Sequence, residues 1–130
     1  IAVSMASYDP QQYATGVRAI AGIIDRLRNE PLQQTSILNV NVPDIPWREI
    51  RGYKITRLGN RHKSEGVIRQ TDPRGDPIYW VGPPGAAQDA GEGTDFHAIE
   101  HNFISITPLQ IDLTRYDSLQ YIEDWLHGHS

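Results

Sequence analysis

Cysteine is absent from the 130 residues. That excludes disulfides, thiolate metal ligands and a Cys nucleophile. Positive charge is in deficit, 12 Lys and Arg against 16 Asp and Glu, for a net charge of −4. This balance argues against non-specific binding to nucleic acid or a membrane surface and leaves room only for a local basic patch. No apolar stretch approaches the length of a transmembrane helix. No signal-peptide pattern is visible either, so the cytoplasm is the default location. Internal repeats and low-complexity segments are missing. An initiator Met is missing too, because the chain opens Ile1-Ala2-Val3-Ser4-Met5. So apolar a run reads as a strand buried on both faces of a parallel sheet. A strand with nothing before it reads as the C-terminal part of something larger. What is present, 38% hydrophobic and 22% charged residues, is the composition of a globular domain able to bury a real core.

Periodicity then predicts the elements. Asp9 suits a helix N-cap, Pro10 the first helical position, and Gln12 completes a spacing like a capping box. Tyr13, Val17, Ile20, Ile24 and Leu27 recur at steps of four and three and mark one helix face, widened by Ala14, Ala21 and Ile23. Glu30-Pro31 ends the helix. Ile37 to Val42 reads as a second strand stopped by Pro43, which completes a right-handed βαβ unit. Beyond residue 50 the character changes. Gly52 to Leu58 is a predicted strand, and Gly59 to Gly66 a polar stretch. Val67–Thr71 and Ile78–Val81 flank Asp72-Pro73-Arg74-Gly75-Asp76-Pro77 and form a hairpin. That hairpin is either an ordinary core element or a projecting arm whose aromatics need a partner surface. Gly82 to Gly93 reads as a loop. Thr94 or Asp95 caps a short helix through His101, and Asn102 takes the left-handed position after it. Phe103 to Thr107 is a strand closed by Pro108. A last helix starts at Asp117 or Ser118 with Leu119, Ile122 and Leu126 on one face and Trp125 beside them.

Several constellations invite a chemical reading. His97-Ala98-Ile99-Glu100-His101 spells the inverted zinc-protease pattern. A catalytic zinc needs a third protein ligand, and Asp112, Asp117, Glu123, Asp124, His127 and His129 sit on no second motif helix. A solvated turn carrying two histidines is the simpler account. Arg57, Arg61, His62 and Lys63 form a basic cluster that either approaches a phosphate or is a solvated connection. Thr94 and Asp95 follow a Gly-rich loop and either line a pocket or cap a helix. Asn39 and Asn41 share one strand face, where amides usually bond loop backbone. Ser4 and Ser105 have no nucleophile-elbow context, and Gly91-x-Gly93 lacks the rest of a dinucleotide fingerprint.

Four segments, in order, resemble the SurE (survival protein E) family of metal-dependent phosphatases. They are Leu38-Asn39-Val40-Asn41-Val42-Pro43, Asp72-Pro73-Arg74-Gly75 with Tyr79-Trp80, Gly93-Thr94-Asp95-Phe96, and Ser105-Ile106-Thr107-Pro108-Leu109. Asp112-Leu113-Thr114 and Trp125-Leu126 extend the match, and Asn102 stands where the family usually has Gly. The resemblance implies an α/β fold, the C-terminal part of a SurE-like three-layer Rossmann-like sheet, with a β-hairpin arm and a C-terminal helix. Residues 1–50 would be its βαβ part. Residues 51–130 would be an oligomerisation region, with the arm at about 66–82, a strand at 103–107 and the helix at about 117–127.

The resemblance also implies the function: hydrolysis of nucleoside 5'-monophosphates to nucleoside and phosphate, with a divalent Mg or Mn ion as cofactor. The family's catalytic Asn-Asp-Asp-Gly motif does not occur here. No catalytic residue and no metal ligand is therefore assigned to this chain, which is expected to be inactive alone, its catalytic half lying upstream. Thr94, Asp95, Arg61 and His62 are the residues expected near substrate. Exchange of arm and tail between copies, as in SurE-like proteins, makes Ile78, Tyr79, Trp80, Leu119, Ile122 and Leu126 the expected contacts of a homodimer or homotetramer. No membrane or nucleic-acid partner is expected. The competing reading is a non-catalytic scaffold fragment held together by those same contacts.

Overall fold

The structure, a computed structural model, describes residues 1–32, 36–62, 66–82 and 85–128. Lys63 and His129 of the candidate clusters, and parts of the stretches 59–66 and 82–93, lie outside the described residues. A four-stranded sheet organises the rest. Its strands are β1 (Ala2–Met5), β2 (Ile37–Val42), β3 (Tyr53–Ile55) and β8 (Ile104–Leu109), in the spatial order β1-β2-β8-β3. β1 and β2 are parallel and joined by helix α1 (Tyr13–Asn29), the predicted crossover. β8 returns antiparallel to β2 and parallel to β3. The sheet thus takes two strands from residues 1–50 and two from residues 51–130.

Alternation gives the two faces different chemistry. Val40 and Val42 of β2 and Ile104 of β8 are fully buried on one face, packed with Ala19 of α1 and with Trp47, Ile50 and Ile106 around them. The other face is polar. Ser4, Asn41, Ser105 and Lys54 pair in register across all four strands. A second row holds Asn39 and Thr107, and the Thr107 hydroxyl bonds that of Thr56 at 2.8 Å. Helix α2 (Asp95–Glu100) packs over this face against β2 and β8 through the buried Ala98. Two helices on opposite faces of one sheet make the three layers that the family resemblance implied.

Several local expectations change. Helix α1 begins at Tyr13, not at Pro10, and Asp9 does not cap it. The Asp44 carboxylate does so from the segment after β2, accepting the N–H groups of Gln11 at 3.0 Å and Gln12 at 2.7 Å. The buried face of α1 is Thr15, Gly16 and Ala19, while Tyr13 and Val17 stay exposed. The reason is that β1 is an edge strand, so α1 overhangs it and part of the apolar arc has no sheet beneath. For the same reason β1 is not buried on both faces. An open groove of about 750 Å³ runs there, lined by Val3, Met5, Val17, Ile20 and Ile24 among others.

The strand expected over Gly52–Leu58 is shorter, and only a single bridge from Arg57 to Thr94 continues it. Two minimal strands, β4 (Asn60–Arg61) and β7 (Ala87–Asp89), pair within segments read as polar stretch and loop. Neither shows an apolar alternation. Pro108 lies inside β8, opposite Leu38, rather than ending it. It is tolerated because β3 stops opposite Ile106, leaving that side of Pro108 with no ladder to donate into. Asn102 takes the left-handed conformation expected of it, at φ 66°.

The hairpin forms as expected, β5 (Ile68–Thr71) with β6 (Pro77–Trp80), turning through Gly75 at φ 94°. Asp72 ties the turn by accepting the N–H groups of Arg74 and Asp76, each at 2.8 Å. Helix α3 (Leu119–His127) follows a 3-10 turn at Tyr116–Ser118. Among the described residues, each of these two elements makes its main contacts only with its own neighbour in sequence.

Candidate active-site cleft

A cleft of about 620 Å³ opens at the carboxyl ends of β1 and β2, over the polar face of the sheet. Its wall comes from four places: Ser4 to Tyr8 at the end of β1, Asn41 on β2, Arg61 and Ala87 on the β4–β7 ribbon, and Asp95, Phe96, Ile99 and Glu100 on α2. This is the position at which open α/β sheets bind ligands, because loops leaving parallel strands diverge there and helix starts converge.

Each side chain is held for an identifiable reason. The Asn41 amide donates to the Ser105 hydroxyl at 3.2 Å, which fixes it on the cleft floor. One Asp95 oxygen accepts the N–H of Gly59 at 2.8 Å and that of Phe96 at 3.0 Å. The carboxylate therefore ties the β4 ribbon to the start of α2. Phe96 packs against Gly59 so closely that a β-carbon there would collide with its ring. The Arg61 guanidinium lies over the same ring, 4.8 Å from its centre, and donates to the Gly85 carbonyl at 3.3 Å.

The four residues expected near substrate do not share one surface. Arg61 and Asp95 meet in the cleft wall. Thr94 is buried as the N-cap of α2, accepting the His97 N–H at 3.2 Å and donating to the Gly91 carbonyl at 2.7 Å. His62 is exposed, its backbone N–H bonded to the Ala86 carbonyl at 2.9 Å, and it does not line the cleft. Arg57 is already spent. Its guanidinium grips both oxygens of Asp89, one of them at 3.0 Å. That hydrogen bond and the guanidinium charge hold the Asp89 carboxyl below its ordinary range, and the same partner raises Arg57. The pair fastens the segment after β3 to β7.

Sequence reasoning gave Tyr8 no role, named Phe96 only within the family-like segment and Glu100 only within the zinc-protease pattern, and did not connect Ser4 with Asn41. Ser7-Tyr8 could have been found as the loop leaving the carboxyl end of a parallel strand. The row from Ser4 to Lys54 could not, because it requires the position of β8 between β2 and β3.

Among the described residues, no group of three or more His, Asp or Glu converges on a point that could hold a metal ion. The rings of His97 and His101 stack 4.0 Å apart, and His101 Nδ1 lies 2.8 Å from the His97 carbonyl. Asp95 already accepts two backbone N–H groups through one oxygen. The described donor set therefore does not fit a divalent ion. No helix among the described residues is long and apolar enough to cross a membrane.

Comparison with known proteins accounts for the arrangement. The family described as survival protein SurE matches residues 1–65. The 5'-nucleotidase SurE of Stenotrophomonas maltophilia (strain R551-3) is 53% identical over 132 residues, covering 100% of this chain and 51% of that protein. That of Alkalilimnicola ehrlichii is 49% identical over 128 residues, covering 98% of this chain and 50% of the relative. The crystal structure of the SurE protein from Aquifex aeolicus superposes with a TM-score of 0.74 at 32% identity, over 97% of this chain and 50% of that one. The chain spans about half the length of the curated relatives it matches.

Proposed function

Because the chain belongs to the survival protein SurE family, we propose that it forms one half of a phosphatase that hydrolyses nucleoside 5'-monophosphates to nucleoside and phosphate. The observation that carries this reading is the coincidence of two facts. Relatives named 5'-nucleotidase SurE match along essentially the whole chain, and the cleft lies at the carboxyl ends of β1 and β2, where such a sheet would present a substrate. In this proposal the reacting carboxylates and the Mg or Mn ion belong to the other half of a family-length protein. The apolar groove along β1 and α1 is the face on which that half would pack. The residues described here supply the sheet, the cleft wall and the contacts between copies.

The proposed partner is a second copy of the chain, in a dimer or tetramer. What supports this is the exposure of Tyr79 and Trp80 on the hairpin, where Ile78 is half-buried, and of Leu119, Ile122 and Leu126 on α3. A two-stranded ribbon is marginal in water unless another surface covers it. The same observation favours the second reading, in which assembly is all that this segment contributes.

The test is a chimera in which this segment replaces the matching half of the Stenotrophomonas relative. Supplied with Mn²⁺ or Mg²⁺, the chimera should release phosphate from nucleoside monophosphates, and the 130-residue chain alone should not. A folded chimera without turnover would leave only the scaffold reading. Turnover by the chain alone would place the reacting groups within it.

A further inference from the structure

We infer that the cleft receives the nucleoside end of the substrate, the flat base with its ribose, and that the phosphate is held elsewhere. The inference rests on the phosphatase reading above and assigns one part of the substrate to this half of the fold. Charge is the first argument. Among the described residues of the cleft wall, Arg61 is the only cation, and it shares the wall with two carboxylates, Asp95 and Glu100. A phosphate dianion would face a wall of net negative charge. A neutral base would find acceptors for its ring and exocyclic N–H groups. Its volume, about 620 Å³, lies within the range of clefts that hold small molecules.

Shape is the second argument. Arg61 does not extend into the cleft as a free charge. The central carbon of its guanidinium sits over the Phe96 ring, 4.8 Å from its centre, and the group donates to the Gly85 carbonyl at 3.3 Å. Phe96 is in turn fixed against Gly59, where no side chain fits. Such an arrangement presents a planar, weakly hydrated face whose orientation is set before any ligand arrives. Guanidinium planes and aromatic rings are the surfaces on which bases stack, with little dependence on which base it is. Tyr8, 97% exposed and on the stretch of the wall that follows β1, supplies a second ring that binding would cover.

Adenosine, guanosine and inorganic phosphate, titrated separately into the full chain and followed by amide chemical shifts, test this. Each nucleoside should shift the signals of Tyr8, Arg61 and Phe96 saturably, and inorganic phosphate should not. Arg61→Lys keeps the charge and loses the plane, so it should weaken adenosine binding about tenfold, toward the low end of what one stacking surface contributes. Tyr8→Ala, at an exposed position, should weaken binding in the same direction while leaving the melting temperature unchanged. Saturable phosphate shifts at these amides, or an Arg61→Lys chain that binds adenosine as the wild type does, would overturn the inference. In the chimera, Arg61→Lys should raise the KM for AMP about tenfold with kcat unchanged. A lowered kcat at constant KM would place Arg61 at the phosphate and refute the assignment. Adenosine binding without any turnover by the chimera would remove the phosphatase reading and leave this one. Turnover by the chimera with KM unmoved by Arg61→Lys would do the reverse.

Discussion

The Asp44 carboxylate accepts the backbone N–H of Gln12 at 2.7 Å and so caps a helix whose first residue lies 31 positions earlier in the chain. Both oxygens also take the N–H of Gln11. The first N–H groups of a helix have no partner inside it, and the helix start attracts negative charge. One side chain after β2 thus joins the start of α1 to the end of the strand it crosses to. Asp44→Ala should cost about 1–2 kcal/mol of stability, the range for loss of a good cap. Urea unfolding of the two proteins measures it, and a difference near zero would mean that water replaces the cap at no cost.

Acid should loosen the approach to α3 in a defined order. The Asp112 carboxylate accepts the Tyr116 hydroxyl at 2.6 Å and the Thr114 N–H at 2.8 Å. These bonds, the Tyr116 hydroxyl first, lower its pKa to about 2. A lowered folded-state pKa stabilises the folded state above the unfolded value, near 3.9, and that contribution is lost as pH falls toward 2. Tyr116→Phe should raise the Asp112 pKa toward the ordinary value, read from the carboxyl carbon shift in an NMR titration. An unmoved titration would show that the Tyr116 bond does not persist in solution.

Gly59→Ala should destabilise the ribbon that carries Arg61. A β-carbon at residue 59 would press on the Phe96 ring and on the Asp89 carbonyl oxygen, and the latter is backbone that cannot turn aside. Overpacking of this kind costs roughly 1–3 kcal/mol. Thermal unfolding should show the loss, accompanied by shifted Phe96 and Arg61 signals. An unchanged melting temperature would mean that the ribbon has room to move away.

Trp80 offers a test of assembly. It is 57% exposed, and its indole N–H donates to Gln70 at 2.7 Å within the hairpin. If the hairpin is covered by a second copy, Trp80→Ala should weaken association by more than about 1 kcal/mol, as aromatic anchors at interface centres do. Sedimentation of the wild type and the variant over a micromolar range should reveal it. A monomeric wild type, or a variant that assembles equally well, would make the hairpin a free ribbon.

The elements that were legible carry their own signal. Ile37 to Val42 alternates apolar and polar from Leu38 onward, through Asn39, Val40, Asn41 and Val42, and stops at Pro43, and it forms the strand with those bounds. Asp72 to Asp76 has the Pro and Gly of a tight turn, and Gly75 takes the positive φ that only Gly adopts freely. Thr94 and Asn102 bracket α2 by local cap chemistry. In each case the determining interactions lie within a few residues of one another. The start of α1 was misread because Asp9-Pro10 offers a local cap and Asp44 displaces it. Strands β4 and β7 were misread because two or three paired residues leave no periodicity.

The sequence by itself determined the family, the βαβ unit, the hairpin, and the alternating polar and apolar faces of β2, because alternation, caps and turns are short-range properties of the chain. Only the tertiary structure decided which of those faces meet. The insertion of β8 between β2 and β3 sets Ser4, Asn41, Ser105 and Lys54 in one row. The β4–β7 pairing brings Arg61 over Phe96 and, with Asp95, into the wall of the cleft. Strand order and ribbon pairing depend on contacts between residues tens of positions apart, whose stabilisation comes from burial and hydrogen bonding once the whole sheet has formed. No local pattern encodes which distant strand will be the neighbour, so a site assembled from four segments becomes visible only when they are folded together.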